Sequence, residues 1–468
     1  MSMDEIKRLR EEIRIVTEEI IRAISKRRIL AEKLGEAKKA LGISPIDLDA
    51  EAELRAQIAK IASENGLDPE YAQKILSLLI QDAISIQQPQ TKPRITHMDI
   101  FRRAKQLEMS GEKIYHLEVG EPDFGAPRQV AETLSWAASH GYAAYGEAKG
   151  RPELRKAIRD LLRENIGVDV SEDQIVITPG GRFAVYLAAA STLRPGDQAV
   201  VIDPSWPLYK QVVEMMHARS LVIHTRLEDK WRPKHEALDK YLRQKPRTIF
   251  INYPNNPTGT TISSTEMSEL VEEISRTGAY LVSDEVYMDY CFTDFTSALE
   301  TGYERTIVIN SFSKSWGMTG YRIGYIVASK ELADRAARIV SQLITCVPEF
   351  IQIAAVRAIE DREIPRSYGE TMKRRLEIVS RELDKIGVSY VKPSGGMYVF
   401  PKIGEDGFDS AEFALNLLEK KRVAVAPGTA FGDYPEYIRI SVGLGEEDLR
   451  KGLQILVENL QRTGRQEG

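Results

Sequence analysis

The sequence predicts an α + α/β protein: an all-helical segment followed by a larger α/β part with a mostly parallel sheet. Two patterns lead to this fold class. Residues 4–42 place apolar residues at three- and four-residue steps with charges between them, which is the period of one long amphipathic helix. Beyond residue 94, short apolar runs bounded by Gly, Pro and Asp alternate with helical stretches, which is typical of strands and helices around a parallel sheet.

Length and composition narrow the class of protein. The 468 residues are too many for one simple core and fit about three domain-sized units. The net charge of -5 is small, so nucleic-acid binding is not expected. Two distant cysteines fit the reducing cytoplasm better than a disulfide framework. We expect no membrane span, because no run of about 18 apolar residues occurs. We expect no metal site, because the six histidines lack metal-binding spacing.

The front of the chain divides into three predicted helices, over residues 4–42, 49–64 and 68–87. The stretch QQPQTKPR follows, with two prolines and no apolar period. We therefore place a helical domain over residues 1–88 and a linker over residues 89–96. Three helices, one of them very long, make a small core, and a homodimer would supply the missing burial.

Six apolar runs are the predicted strands of the second part, and ligand-binding residues are expected where such strands end. The runs cover residues 175–181, 199–204, 248–259, 280–287, 306–314 and 321–328.

Lys314 stands out because of its neighbours in SFSKSWGMTGYRIG. A lysine alone is usually a solvated surface charge. Here Ser311 and Ser313 offer hydroxyl groups, and Arg322 offers a guanidinium suited to bidentate contact with a phosphate. A cofactor with an aldehyde and a phosphate needs an amine at one end and anion-binding groups at the other.

Asp284 ends the apolar run YLVSD. An aspartate in this position caps a turn about as often as it binds a ligand. Opposite a pyridine nitrogen, its charge would keep that nitrogen protonated. Tyr287 and Asn256 are candidates to hydrogen-bond a ring hydroxyl, although Asn256 lies in a common type of Asn-Pro turn.

Gly180 and Gly181 lie between a predicted strand and an apolar helix, where backbone amides at a helix N-terminus bind phosphate well. A glycine pair in this position is more often an ordinary turn. Trp206, in DPSWPLYK, either covers a cofactor ring by stacking or is an ordinary buried tryptophan.

Together these motifs resemble the fold-type-I family of pyridoxal-phosphate (PLP) enzymes, particularly the aspartate-type aminotransferases, over residues 94–468. They occur in the family's order: LEVGEPDF, AAYGEAKGRPELR, PGGR, PSWPLYK, NNPTG, SDEVY, SFSKSWGMTGYRIG, PSGGMYVF and YIRIS. The resemblance implies a homodimer with active sites at the subunit interface. It also implies a large α/β domain over residues 131–375 and a small α/β domain over 97–130 and 376–468.

The resemblance implies roles for individual residues. Lys314 would form the Schiff base with PLP and shuttle the proton between Cα and C4′. Arg439 would hold the substrate α-carboxylate, Gly120 would contact the substrate, and Tyr145 would reach the phosphate of the neighbouring subunit. Arg182 follows the double glycine, at a position where one branch of the family has a lysine that binds a second substrate carboxylate. Arg182 either binds such a carboxylate or belongs to the phosphate loop or the surface.

Three basic residues mark the first helix. Arg27 and Lys38 lie about 20° apart around its axis, and Arg10 lies about 100° away. Such charges are usually a solvated face. Two cations on one stripe and a third elsewhere would also suit a site that another subunit completes.

This segment resembles the all-helical chorismate mutase family through LREEI, SKRRILAEKLGEAK, IDLDAE and LIQDAISIQQ, in that order. The resemblance implies that Arg10 of the partner subunit and Arg27 bind the two substrate carboxylates. It implies that Lys38 and Gln87 bind the ether oxygen, and that Asp47 and Glu51 bind the hydroxyl group. The rearrangement of chorismate requires only that the enzyme hold the reactive conformer of the substrate and stabilise the charge separation that develops in it. Ala50 and Ala83 depart from the family pattern, and isochorismate-pyruvate lyases share the scaffold.

The sequence therefore predicts a bifunctional enzyme of aromatic amino-acid biosynthesis. The helical domain would convert chorismate to prephenate. The PLP domain would transaminate prephenate or an aromatic 2-oxo acid, with glutamate or aspartate as the donor. The alternative is an aspartate aminotransferase whose helical domain is a non-catalytic dimerisation or regulatory module, which the Ala50 departure favours slightly.

Overall fold

The computed structural model describes residues 2–87 and 95–466, with side chains described as far as residue 461. The chain divides into two compact units. The first comprises residues 1–93 with 195–197, and the second comprises residues 94–194 with 198–468. Most of the predicted linker, residues 89–96, lies outside the described residues.

The first unit contains three helices, α1 (Met3–Ala40), α2 (Leu48–Glu64) and α3 (Pro69–Gln87), close to the predicted bounds. Asp47 caps α2 by accepting a hydrogen bond from a backbone amide of its first turn. Helices α1 and α2 each pack against α3. Of the α1 side chains, Ala31 alone is buried, so the apolar stripe that predicted this helix is largely exposed within one chain.

The second unit contains most of the helices and all the strands of the described residues. Its helices are α4 (His97–Met109), α5 (Arg128–Ser139), α6 (Pro152–Ile166), α7 (Gly181–Thr192), α8 (Leu208–Met215), α9 (His235–Leu242), α10 (Ser264–Ser275), α11 (Phe312–Ser315), α12 (Lys330–Ile344), α13 (Glu349–Ile359), α14 (Glu363–Lys385), α15 (Ser410–Lys421) and α16 (Glu446–Gln466). Its strands are β1 (Tyr115–His116), β2 (Ile175–Thr178), β3 (Gln198–Asp203), β4 (Arg219–His224), β5 (Thr248–Asn252), β6 (Tyr280–Asp284), β7 (Thr306–Ser311), β8 (Gly324–Ala328), β9 (Tyr398–Val399), β10 (Val423–Ala424), β11 (Ala426–Pro427) and β12 (Ile438–Ser441).

Seven strands form the main sheet, in the order β2-β8-β7-β6-β5-β3-β4. Every neighbouring pair is parallel except those involving β8, which runs antiparallel to both β2 and β7. The middle residues of the strands are mostly apolar, and α7, α8 and α12 pack against them. Strand β4 was not predicted, since its sequence RSLVIH has polar residues at both ends and lacks a flanking turn signal.

A second hydrophobic core lies where α4, α14, α15 and α16 pack around the short strands β9, β10 and β12. Strands β11, β12 and β9 form a small antiparallel sheet in this region. Strand β12 carries Arg439 at a position where the side chain is 3% exposed. The main sheet and this second core thus each supply residues to the cavity described below.

Two further predictions concern absences. No helix among the described residues is both long and apolar enough to cross a membrane. Within residues 2–87 and 95–466, histidine, cysteine and acidic side chains form no group suited to a metal ion.

Candidate active site

A cavity of about 560 Å³ opens at the carboxyl ends of β5, β6 and β7. Because the carboxyl ends of parallel strands meet at one edge of a sheet, residues distant in sequence converge there. The cavity is lined by all the residues predicted for the cofactor and its amino-acid substrate except Gly180 and Tyr145: Gly120, Gly181, Arg182, Trp206, Asn256, Asp284, Tyr287, Ser311, Ser313, Lys314, Arg322 and Arg439.

Lys314 lies on the short helix α11, directly after β7. Its Nζ donates a hydrogen bond to the backbone oxygen of Gly120, and its own backbone oxygen accepts one from the Tyr290 hydroxyl at 2.6 Å. Burial lowers the pKa of Lys314 to about 8. The charge of Glu121 opposes this shift, while the charges of Arg439 and Arg322 act in the same direction as burial. The amine therefore exchanges protons close to neutral pH, as a nucleophile or proton carrier requires.

Asp284 ends β6 and is 2% exposed. Its Oδ2 accepts a hydrogen bond from the Tyr209 hydroxyl at 2.7 Å, and its Oδ1 accepts a weaker one from the Val286 amide at 3.4 Å. Burial raises the pKa of Asp284 to about 6, although both hydrogen bonds oppose this rise. The carboxyl group thus lacks a full counter-charge, and a cationic ring nitrogen would supply one.

The anion-binding end of the cavity contains Ser311, Ser313 and Arg322. The two serine hydroxyls are joined by a hydrogen bond of 2.9 Å, and the Arg322 guanidinium donates to the Thr319 backbone oxygen at 2.9 Å. Gly180 has a φ of +82°, and a Cβ there would lie 2.7 Å from Arg322 Nη2. A glycine is thus required at this turn, so that the guanidinium can lie beside the N-terminus of α7.

Arg439 is held among aromatic rings, with its Cζ 4.3 Å from the Tyr398 ring centroid and 4.8 Å from that of Phe431. Its Nη1 donates to Asn256 Oδ1 at 2.9 Å, and its Nη2 donates to the Glu118 backbone oxygen. Its buried Nε has no hydrogen-bond partner among the described residues. A buried guanidinium with a spare donor is suited to a carboxylate ligand.

Arg182 lies over Trp206, with its Cζ 5.0 Å from the ring. Burial lowers the pKa of the guanidinium, and the charge of Arg322 lowers it further. Two arginines that repel each other across one cavity favour the binding of anions between or beside them.

Gly120 and Tyr398 approach each other closely in the cavity wall. A Cβ on Gly120 would lie 1.8 Å from the Tyr398 hydroxyl oxygen, so a larger residue would displace this tyrosine. The Tyr398 hydroxyl is also 2.8 Å from the Tyr287 hydroxyl. Gly120 therefore positions the wall opposite Lys314, to which its backbone oxygen is also hydrogen-bonded.

Tyr145 is 87% exposed and does not line the cavity of its own chain. This position agrees with the predicted contact to a neighbouring subunit, which stays a prediction.

In the helical unit, two of the predicted site cations contact backbone oxygens. Arg27 Nη1 donates to the Leu79 oxygen at 2.5 Å, and Lys38 Nζ donates to the Pro45 oxygen at 2.9 Å. Arg10 is exposed on α1. These contacts orient Arg27 and Lys38 toward the rest of the unit. Arg10 lies on a different face of α1 and therefore does not reach the same site within one chain.

Gln87 ends α3 against Gly35 of α1: a Cβ on Gly35 would lie 2.6 Å from Gln87 Cγ. Lys38 lies three residues beyond Gly35, about 4.5 Å along the helix. The Gln87 Oε1 atom is buried and has no partner in the described part of the chain. Gln87 thus lies against the turn of α1 that precedes Lys38, while Asp47 and Glu51 lie one turn apart at the start of α2.

Several cavity residues were not singled out from the sequence. Tyr209 and Tyr398 lie inside motifs that were recognised, PSWPLYK and PSGGMYVF, so the motifs located them without showing their roles. Asn252, whose Nδ2 donates to the Asp284 backbone oxygen at 2.8 Å, is the last residue of β5, and strand-end position was the available signal. Glu118 lies inside the recognised motif LEVGEPDF, whereas His97 carried no signal.

The family model described as Aminotransferase class I and II matches residues 112–456, which is most of the chain. The chain belongs to the class I and II aminotransferases. Residues 9–88 match a second family model, Chorismate mutase type II, so a helical chorismate mutase domain is fused to this aminotransferase. The predicted combination of an all-helical domain with a fold-type-I aminotransferase is confirmed.

Relatives of this aminotransferase are named for aspartate, prephenate or aromatic amino acids. The aromatic-amino-acid aminotransferase 2 of Thermococcus litoralis is 31% identical over 75% of this chain and 93% of the relative. The aspartate aminotransferase of Thermotoga maritima is 35% identical over 76% of this chain and 94% of the relative. The probable aspartate/prephenate aminotransferase of Aquifex aeolicus is 32% identical over 79% of this chain and 96% of the relative. The structure of aspartate aminotransferase from Thermus thermophilus with maleate has a TM-score of 0.73 and 30% identity, covering 78% of this chain and 97% of that one.

Proposed function

We propose that this aminotransferase uses PLP and that Lys314 is the residue that joins the cofactor covalently. The observation that carries the proposal is the convergence, in one cavity, of an amine with a pKa of about 8, the buried carboxyl group of Asp284 and a cluster of anion-binding groups. The phosphate would be held by Ser311, Ser313, Arg322 and the N-terminus of α7.

The remaining polar groups fit the other atoms of the cofactor. Asp284 would pair with the ring nitrogen, Tyr287 and Asn256 would bind the ring oxygen, and Trp206 would lie against the ring face. The fit rests on the Asp284 carboxyl group, which is buried with no cationic partner among the described residues. Adding the cofactor would give this charge a partner.

When bound, PLP supplies a ring that draws electrons from the bonds to the substrate Cα. Asp284 would hold a proton on the ring nitrogen, since at neutral pH its own pKa of about 6 leaves it mostly ionised. Lys314 would take the proton from Cα and return it, because its pKa of about 8 lies near the operating pH. Arg439 would bind the α-carboxylate and fix the orientation of Cα.

The substrates we propose are a dicarboxylic amino acid as donor, glutamate or aspartate, and prephenate or an aromatic 2-oxo acid as acceptor. Arg182 supports a substrate with a second carboxylate, because Arg439 and Arg322 already have proposed partners. The relatives named for aspartate, for aromatic amino acids and for aspartate/prephenate support the same range.

For the helical domain we propose the conversion of chorismate to prephenate. Gln87 lies against Gly35, one turn before Lys38 on α1, which supports a site for an ether oxygen that gains negative charge; the Lys38 ammonium and the Gln87 amide nitrogen would donate to it. Arg27 and, from a second chain, Arg10 would bind the carboxylates, while Asp47 and Glu51 would bind the hydroxyl.

We also propose that the protein is a homodimer. Along α1, the apolar residues Leu9, Ile13, Val16 and Ile20 are 40–67% exposed in the single chain. A stripe of this length is covered by a partner in a stable protein.

One experiment tests the two activities together. The purified protein is incubated with PLP, chorismate and glutamate, and the products are separated by chromatography. Arogenate would support both activities and prephenate as the acceptor. Prephenate without arogenate would support the mutase activity and would indicate that the transaminase uses another oxo acid as its acceptor. Unchanged chorismate would contradict the mutase proposal and favour a non-catalytic module on an aspartate aminotransferase.

A further inference from the structure

His97, the first residue of α4, lines the cavity together with Arg182 and Arg439. Its ring stacks on Phe431, with the centroids 6.1 Å apart and the planes inclined by 23°. Phe431 in turn lies 4.8 Å from the Arg439 guanidinium. The imidazole is thus fixed by an aromatic contact beside the arginine proposed to hold the α-carboxylate.

The Nδ1 atom of His97 is available for a ligand. This atom is buried and makes no hydrogen bond to any residue that the structure describes. Three described charges act on the ring: Arg439 on β12 and Arg182 on α7 disfavour its proton, and Asp99 on α4 favours it. Together with burial, which is the largest cause, the arginines lower the pKa of His97 to about 4. The imidazole is therefore neutral at neutral pH in the free cavity.

We propose that His97 is a specificity residue that allows one cavity to accept both dicarboxylic and aromatic substrates; this rests on the proposed aminotransferase function. A substrate carboxylate that pairs with Arg182 adds negative charge near the imidazole and offsets the guanidinium charges. His97 then takes up a proton from solvent and donates a charge-assisted hydrogen bond to that carboxylate. An aromatic side chain adds no charge, so the imidazole stays neutral and packs against it as a ring.

Proton uptake by His97 makes dicarboxylate binding depend on pH in one direction. If a dicarboxylate raises the pKa of His97, binding takes up protons, and affinity for the dicarboxylate rises as the pH falls through the pKa in the complex toward the free value of about 4. A monocarboxylate with an aromatic ring leaves the proton balance of His97 unchanged. The preference for dicarboxylic over aromatic ligands therefore increases in acid.

The test measures ligand binding to the holoenzyme by isothermal titration calorimetry. Maleate is the dicarboxylate probe and 3-phenylpropionate is the aromatic monocarboxylate. Two buffers of different ionisation enthalpy give the number of protons taken up. The variants are His97→Phe, which retains a ring on Phe431 but cannot titrate, and His97→Asn, which retains polarity without a ring. His235→Asn, at an exposed position where the side chain contacts Glu273, is the matched control.

For the wild type and the control we expect maleate binding to take up more protons than 3-phenylpropionate binding, by up to about one proton. His97→Phe should abolish this difference and weaken maleate about ten- to a hundredfold, while 3-phenylpropionate changes by less than about threefold. His97→Asn should weaken both ligands, because it also removes the ring.

Equal weakening of both ligands by His97→Phe, or proton uptake that survives in this variant, would overturn the proposal. The binding readout does not depend on turnover. If transamination fails but maleate binding still takes up protons, the proposed function is refuted and the role of His97 stands. If transamination occurs but maleate binding takes up no protons, the role of His97 alone is refuted.

Discussion

The Asp284→Asn substitution separates the energetic effect of burying this carboxyl group from its use in catalysis. Asp284 is 2% exposed, and burial raises its pKa from an ordinary 3.8 to about 6. A carboxyl group with a raised pKa in the folded state binds its proton more tightly there than in the unfolded chain. The folded state is therefore destabilised as the pH rises from 3.8 through 6, where the group must ionise.

The magnitude follows from the two pKa values. At about pH 5 the ionisation of Asp284 disfavours folding by about 1.6 kcal/mol, and at about pH 8 by about 3 kcal/mol. Asparagine has nearly the same shape, accepts the Tyr209 hydroxyl hydrogen bond, and carries no charge. Without PLP, we expect the variant to be more stable than the wild type, by a margin that grows by about 1.4 kcal/mol between these pH values.

The assay is urea unfolding of cofactor-free protein at both pH values, followed by thermal unfolding with and without PLP. Because the cofactor supplies a cationic partner for Asp284, PLP should stabilise the wild type more than the variant. Transamination by Asp284→Asn should fall by at least about a hundredfold, since the ring nitrogen would lose its partner. Stability and activity thus move in opposite directions.

Glu285 provides the matched control. It is also buried, and burial raises its pKa from 4.5 to about 7, but it hydrogen-bonds Ser283, Ser297 and the Ala298 amide and does not line the cavity. Glu285→Gln should show a similar pH-dependent gain in the free energy of unfolding, and PLP should stabilise it as much as it stabilises the wild type. A stability difference between Asp284→Asn and the wild type that is flat from pH 5 to 8, or a variant less stable than the wild type at pH 8, would refute this account of the buried charge.

Three further substitutions probe the two sites. Lys314→Ala should abolish the absorbance that arises from the covalent link between the lysine and the cofactor, and all transamination, while leaving chorismate turnover intact; persistence of that absorbance would contradict the assignment. Lys38→Ala should remove chorismate turnover, by about a hundredfold or more, and leave transamination unchanged, whereas Lys39→Ala at an exposed neighbouring position should alter neither. Gly120→Ala places a Cβ 1.8 Å from a tyrosine hydroxyl and should lower the unfolding free energy by about 1–3 kcal/mol, compared with Gly125→Ala, where nothing lies within 4 Å.

The sequence located most of the fold because its apolar periods and its turn residues agree. Helix α1 and the buried strand β6 have patterns that few alternatives share, and the residues that end such strands could be expected to converge. Strand β4 was missed because burial of its middle residues depends on β3 beside it, which a local window does not contain. The type of each element was thus predictable where the local pattern is long or strongly apolar.

The candidate site was predictable where chemistry lies in a compact motif, as at Lys314. It was not predictable where a residue acts through packing from a distant segment. Tyr209 contacts Asp284 across 75 positions, and His97 reaches Phe431 from the other end of the unit. A tyrosine near an apolar helix and a histidine at a helix start have many ordinary uses, so only the folded arrangement shows what they contact.

The homodimer can be tested through the mutase site alone, because the prediction places Arg10 and Arg27 of one site on different chains. Arg10 is exposed, while Arg27 is fixed to the Leu79 oxygen. Arg10→Ala and Arg27→Ala should each be inactive toward chorismate. Unfolded together and refolded as an equal mixture, they form mixed dimers in about half of the population, each with one intact site, so about one quarter of wild-type activity should return. Mixed dimers present by native mass spectrometry without recovered activity would show that both arginines belong to a site within one chain.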